Sequence, residues 1–154
     1  MNTTSLKCLL DACFAAKRIV ETLPALPKGM KPRHIHVLEA IYEVNAERSD
    51  CRVSDVSTRL NITAPSITKL IQELEGLGLV EKCPSQSDKR VVHLYLTNEG
   101  LACVREHVLD FHRDWAAALG SVTDEQASET ARVIGELMRT MPGKRQEAQN
   151  GQRK

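Results

Sequence analysis

Between residues 76 and 80 the apolar residues change their spacing from a period of 3.6 to a period of 2. No other feature of the chain constrains the fold as much. Before the change stand two short amphipathic segments. Val53–Leu60 puts Val53, Val56 and Leu60 inward, and 64–76 makes its apolar side from Ile67, Leu70, Ile71 and Leu74. Only Asn61-Ile62-Thr63 separates them, which predicts a tight turn with Thr63 as N-cap and Pro65 tolerated inside the first helical turn. Gly76 and Gly78 end the second helix around Leu77. After the change, Leu79–Cys83 and Val91–Leu96 alternate like strands around the polar stretch Pro84–Arg90, predicting a hairpin with a long tip. Val92, Leu94 and Leu96 are expected to face in, with Val91, His93 and Tyr95 outward. Two short helices, a tight turn and then a hairpin make a winged helix-turn-helix.

The flanks are helical. Asn2–Thr22 carries an apolar stripe that includes Leu6, Leu9, Leu10, Cys13 and Phe14, and it stops at the prolines and glycine of Leu23–Gly29. Pro32 opens a helix with Ile35, Leu38, Ile41 and Tyr42 on one face, and polar Asn45–Cys51 reads as a loop. Thr97 is the expected cap of a long helix reaching about Leu119, where Gly120 breaks it. Thr123-Asp-Glu-Gln126 is a capping box for a last helix to Met141, stopped by Pro142. Residues 143–154 are polar, without apolar periodicity, and read as a disordered tail. The fold class is therefore mainly α (α+β).

The chemistry concentrates on the polar side of 64–76. A helix that enters a major groove about 12 Å wide needs a small, polar N-terminal half and an apolar back that holds it on its domain. Ala64, Ser66, Thr68, Lys69 and Gln72 supply that side. Thr63 and Ser66 can donate to phosphate beside first-turn amides, and Lys69 and Gln72 can reach base edges. At the hairpin tip, Asp88-Lys89-Arg90 sets two cations beside a carboxylate that can hold Arg90 for a narrow minor groove.

Composition excludes other classes. A chain of 154 residues can bury about two-thirds of its unfolded surface without disulfides or metals. A net charge of +1 excludes a histone-like binder, and 3% aromatic residues are too few for a single-strand stacking platform. Five cysteines (8, 13, 51, 83, 103) with no CxxC spacing fit reduced thiols, and no signal peptide or membrane span is expected. A cytoplasmic protein follows. No phosphate-binding glycine loop or nucleophile elbow is present, and a Cys83/His93 pair across the hairpin has no third group to orient it. Neither an enzyme nor a cofactor is expected. Residues 52–96 balance six cations (Arg52, Arg59, Lys69, Lys82, Lys89, Arg90) against five anions (Asp55, Glu73, Glu75, Glu81, Asp88). DNA binding by this segment would rest on placement and fall steeply with salt.

The run Leu60–Lys82 (LNITAPSITKLIQELEGLGLVEK), followed by Asp88-Lys-Arg90 and Leu96-Thr-Asn-Glu-Gly100, resembles the MarR family of bacterial transcriptional regulators over roughly residues 5–141. The resemblance implies a homodimer on double-stranded, palindromic DNA whose affinity an effector modulates, with repression the expected outcome. Three regions follow: a dimerisation helix and loop at 1–30, a DNA-binding lobe at 31–96 and dimerisation helices at 97–142. Leu6, Leu9, Leu10 and Phe14 at one end, and Ile134, Leu137, Met138 and Met141 at the other, carry more apolar surface than a small lobe covers. Two-fold symmetry would set the recognition helices about 34 Å apart.

Three effectors compete. A small organic ligand would sit in a cleft between the dimer helices and the winged lobe, which the resemblance implies is bordered by 23–32 and the helix at 34–42. Oxidant-responsive members of the family that the chain resembles use a first-helix cysteine among tyrosines, which points to Cys8 or Cys13. No tyrosine accompanies them here, and Cys13 reads as a small buried hydrophobe. Zinc would use His34 and His107, near the positions that zinc-responsive relatives use. Residue 111, a turn beyond His107, is Phe rather than His, and His107 and His112 are poorly spaced to share an ion, so solvated histidines and no metal are the preferred reading. The alternative function is a dimeric interaction scaffold with a winged-helix fold that does not bind DNA.

Overall fold

A computed structural model describes residues 1–21, 25–85, 88 and 90–140. It divides into two compact units, residues 1–112 and 113–154. The elements are α1 (Thr3–Glu21), α2 (Pro32–Arg48), α3 (Val53–Leu60), α4 (Ala64–Gly76), β1 (Val80–Pro84), β2 (Val92–Leu96), α5 (Asn98–Val104), a π-helical segment (Arg105–Asp110), α6 (Phe111–Ala118) and α7 (Asp124–Thr140). The architecture is mostly helical with one small sheet, as the spacing predicts.

The core of the first unit is built by the period-3.6 faces. Val37, Leu38, Ile41 and Val44 of α2, Val56 of α3, and Ile67, Leu70, Ile71 and Leu74 of α4 are buried together with Val80, Leu94, Val104 and Val108. Each such side chain contributes roughly 1.5–3 kcal/mol relative to exposure. The turn between α3 and α4 is closed by Asn61, left-handed at φ 53°, and by Ser57, whose Oγ donates to the Ile62 carbonyl at 2.5 Å. β1 and β2 pair antiparallel with Lys82 opposite Leu94 and Cys83 opposite His93.

The Leu96-Thr-Asn-Glu-Gly100 motif is a junction. Thr97 Oγ1 accepts from the Gly100 amide at 3.0 Å, capping α5 as expected, and donates to the Gly78 carbonyl at 2.7 Å. A Cβ on Gly100 would meet the Leu79 carbonyl oxygen at 2.0 Å. Only glycine lets α5 start this close to the exit from α4.

Several expectations need correction. Asn45–Cys51 is not a polar surface loop, because α2 continues to Arg48 and Cys51 is fully buried. Asn45 makes this possible: its Nδ2 donates to the Leu94 carbonyl (2.8 Å) and its Oδ1 accepts from the Cys51 amide (3.1 Å). Val92 is exposed rather than inward, since it lies toward the hairpin tip, and Leu94 alone of the three inward residues is fully buried. The long helix from Thr97 contains a π-helical segment that its side-chain spacing does not announce.

In the second unit, the capping box of α7 forms in both directions. The Thr123 amide donates to Gln126 Oε1 at 3.0 Å, and the Gln126 amide donates to Thr123 Oγ1 at 3.2 Å. Met141 and the tail at 143–154 lie outside the described residues.

Candidate nucleic-acid interface

α4 presents two unlike faces. Ile67, Leu70, Ile71 and Leu74 are buried, while Thr63, Ala64, Ser66, Lys69 and Gln72 are exposed and Thr68 is half-buried. Thr68 turns its hydroxyl back to the Ala64 carbonyl at 2.9 Å, so it is less available to a ligand than its neighbours. Thr63 holds the N-cap position with extended backbone, but its side chain does not cap the helix. Its Oγ1 lies 3.0 Å from Ser66 Oγ. In the first turn Pro65 has no N–H and the Ile67 amide donates to the Thr63 carbonyl at 3.1 Å, so the amides beside the two hydroxyls are those of Ala64 and Ser66.

The cations of residues 52–96 divide by partner. Arg59 is tied to Glu43 (2.5 Å) and Glu47 (2.7 Å) on α2, and Lys82 to Glu75 (2.6 Å). These ion pairs brace α3 and β1 and leave little charge for a polyanion. Lys69, by contrast, has no ion-pair or hydrogen-bonding partner among the described residues. Its i+4 neighbour Glu73 is engaged elsewhere, by Lys31 (3.1 Å) and by His34 of α2 (2.8 Å). The near-zero formal balance therefore hides an uncompensated ammonium on the polar face of α4.

At the wing, Asp88 Oδ1 accepts from both the amide (3.0 Å) and Nε (3.3 Å) of Arg90, and the Arg90 side chain is 92% exposed. The carboxylate orients the base of the guanidinium and leaves its far edge free. Lys89 lies outside the described residues.

The proposed effector chemistries fare differently. His34 is not solvated but 1% exposed, with both ring nitrogens hydrogen-bonded: Nδ1 accepts from the Lys31 amide at 3.2 Å and Nε2 meets Glu73. Burial of an imidazole here depends on a carboxylate 39 residues away, which local sequence does not reveal. His107 is half-buried, and among the described residues no group of three or more His, Cys, Asp or Glu could hold a metal ion. Cys8 is exposed and Cys13 half-buried rather than buried. Burial pushes the Cys51 thiol up to about 12, and burial, with Glu106 nearby, raises Cys103. Those two thiols are protonated and poor nucleophiles. Cys83 and His93 do face each other across the hairpin, both half-buried.

A cleft of about 360 Å³ opens beside α5, lined by Pro27, Met30, Leu77, Leu79, Cys103 and His107 among others. The loop after α1 borders it as expected. Its other walls are the end of α4, α5 and the π-helical segment, and not residues 34–42. No described helix is long and apolar enough to cross a membrane.

A polar helix face backed by a packed apolar one, followed by a wing with an exposed arginine, defines a winged helix-turn-helix protein. The sequence model of the MarR family matches residues 28–91 of the chain. It is 25% identical over 118 residues to the HTH-type transcriptional repressor MdtR of Bacillus subtilis, spanning 76% of this chain and 74% of that protein. Among solved structures it resembles Streptococcus pneumoniae FabT in complex with DNA (TM-score 0.67, 23% identity, 90% of this chain and 96% of that one). It also resembles the PcaV regulator of Streptomyces coelicolor in complex with its natural ligand (TM-score 0.63, 18% identity, 86% and 90%).

Proposed function

We propose that this chain is a sequence-specific regulator of transcription, a repressor, that binds palindromic double-stranded DNA as a homodimer. The observation that carries the reading is the polar face of α4: Thr63, Ala64, Ser66, Lys69 and Gln72 exposed, with Lys69 uncompensated, on a helix anchored by four buried side chains. In this reading Thr63 to Gln72 enter a major groove and Asp88 to Arg90 reach the adjoining minor groove. Residues 31–96 form the DNA-binding lobe. The flanking regions 1–30 and 97–142 form the dimer, using Leu6, Leu10 and Phe14 of α1 and Ile134 and Met138 of α7, all exposed in a single chain, together with half-buried Leu9 and Leu137. The repressor MdtR and the DNA complex of FabT are relatives and neighbours of the kind this reading requires. The cleft beside α5 is the candidate site for a small organic effector, in keeping with the ligand complex of PcaV.

The test is capture of fragmented genomic DNA from the source organism by purified protein, with sequencing and a salt titration. Enrichment of one palindrome with steep salt dependence is the expected result. Flat, salt-labile binding with no enriched site would overturn the reading in favour of a scaffold.

A further inference from the structure

His34 is the sole buried polar or charged residue among those described, and it joins α2 to α4. The Lys31 amide can only donate, so Nδ1 accepts and the ring proton sits on Nε2, which donates to Glu73 Oε2 at 2.8 Å. Lys31 Nζ donates to the same oxygen at 3.1 Å. The bond from His34 first, and that from Lys31 second, hold the Glu73 carboxyl below its ordinary range, so it is ionised at neutral pH. An ionised Glu73 sits four residues after Lys69, the spacing at which helical side chains of opposite charge pair. It pairs with Lys31 and His34 instead, and Lys69 is left without a carboxylate among the described residues.

We infer that His34 is a positioning residue for DNA binding: it withholds the Glu73 carboxylate from Lys69, keeping that ammonium available to DNA. The inference rests on the DNA-binding function proposed above. A carboxylate swung back toward Lys69 would both neutralise the cation and repel the phosphates that approach α4. His34 thus acts without touching DNA, by directing an anion that would otherwise compete with it.

The experiment compares Glu73→Asp with Glu73→Asn, measuring affinity for the enriched palindrome across a range of salt concentrations. Both substitutions shorten the side chain so that it no longer spans to His34, and both leave the buried face of α4 intact. They are close in shape and differ in charge, with the amide adding N–H donors. The Glu73→Asp protein is expected to bind about tenfold more weakly than the Glu73→Asn protein at low salt, the size of one charge-assisted contact, with a salt slope lower by about one ion. Adding Lys69→Ala to each should shrink the difference to about twofold. His34→Gln, which can accept from the Lys31 amide and donate to Glu73, should bind like the wild type. Equal affinities and slopes for the two Glu73 variants, in a protein whose wild type selects a palindrome, would overturn the inference and leave the clasp a packing device. A wild type that selects no palindrome would instead overturn the proposed function, and this inference with it.

Discussion

The winged lobe and the terminal helices spend similar side chains in opposite ways. In the lobe, α4 buries all four of its inward apolar residues, and α2 buries six apolar residues along one face. α1 and α7 are equally amphipathic and have no buried residue among those described. Phe14 is 71% exposed and Met138 51%. The lobe is a finished core within one chain, whereas α1 and α7 display an apolar stripe that a single chain does not cover. Stability and assembly should therefore respond to different residues.

The largest effect should come from the lobe. Leu74→Ala removes a fully buried side chain and is expected to cost about 2–5 kcal/mol, read as a lowered urea midpoint independent of protein concentration. Phe14→Ala should leave that chain-level stability nearly untouched. In the proposed dimer it should weaken association by about 2 kcal/mol, read by sedimentation across a dilution series. A Phe14→Ala protein with an unchanged dimer and a depressed urea midpoint would break the contrast. Arg90→Ala alters neither core nor stripe: the expectation is about a tenfold loss of operator affinity, near 1.4 kcal/mol, with an unchanged thermal midpoint. Smallest is Thr123→Ala, which removes one half of the α7 capping box for about 1 kcal/mol, measured as helicity lost on mild heating.

What the sequence made legible was whatever depends on neighbours a few residues apart. The faces of α3 and α4, the Asn61 turn, the Thr97 cap and the Thr123 box all follow from local spacing and side-chain chemistry, and the structure contains each of them. Distant partners were not legible. Asn45 reads as the start of a loop because its two backbone partners, Cys51 and Leu94, arrive only with folding. His34 reads as solvated because nothing nearby in sequence predicts Glu73. The charge count of residues 52–96 misleads for the same reason: among the described residues it sums over cations that fold into ion pairs and Lys69, which does not.

The Asn45 contact has a consequence for how the protein behaves at high concentration. A two-stranded sheet has two edges, and an open edge invites another chain to add a strand. On β2 the outward amide of Leu94 is taken by the Cys51 carbonyl at 2.8 Å, and its outward carbonyl by Asn45. That edge is closed at its centre by the protein's own backbone and one amide side chain. Asn45→Leu would fill the space without closing the edge, and a wing meant to track a groove would gain a site for adhesion to its own copies.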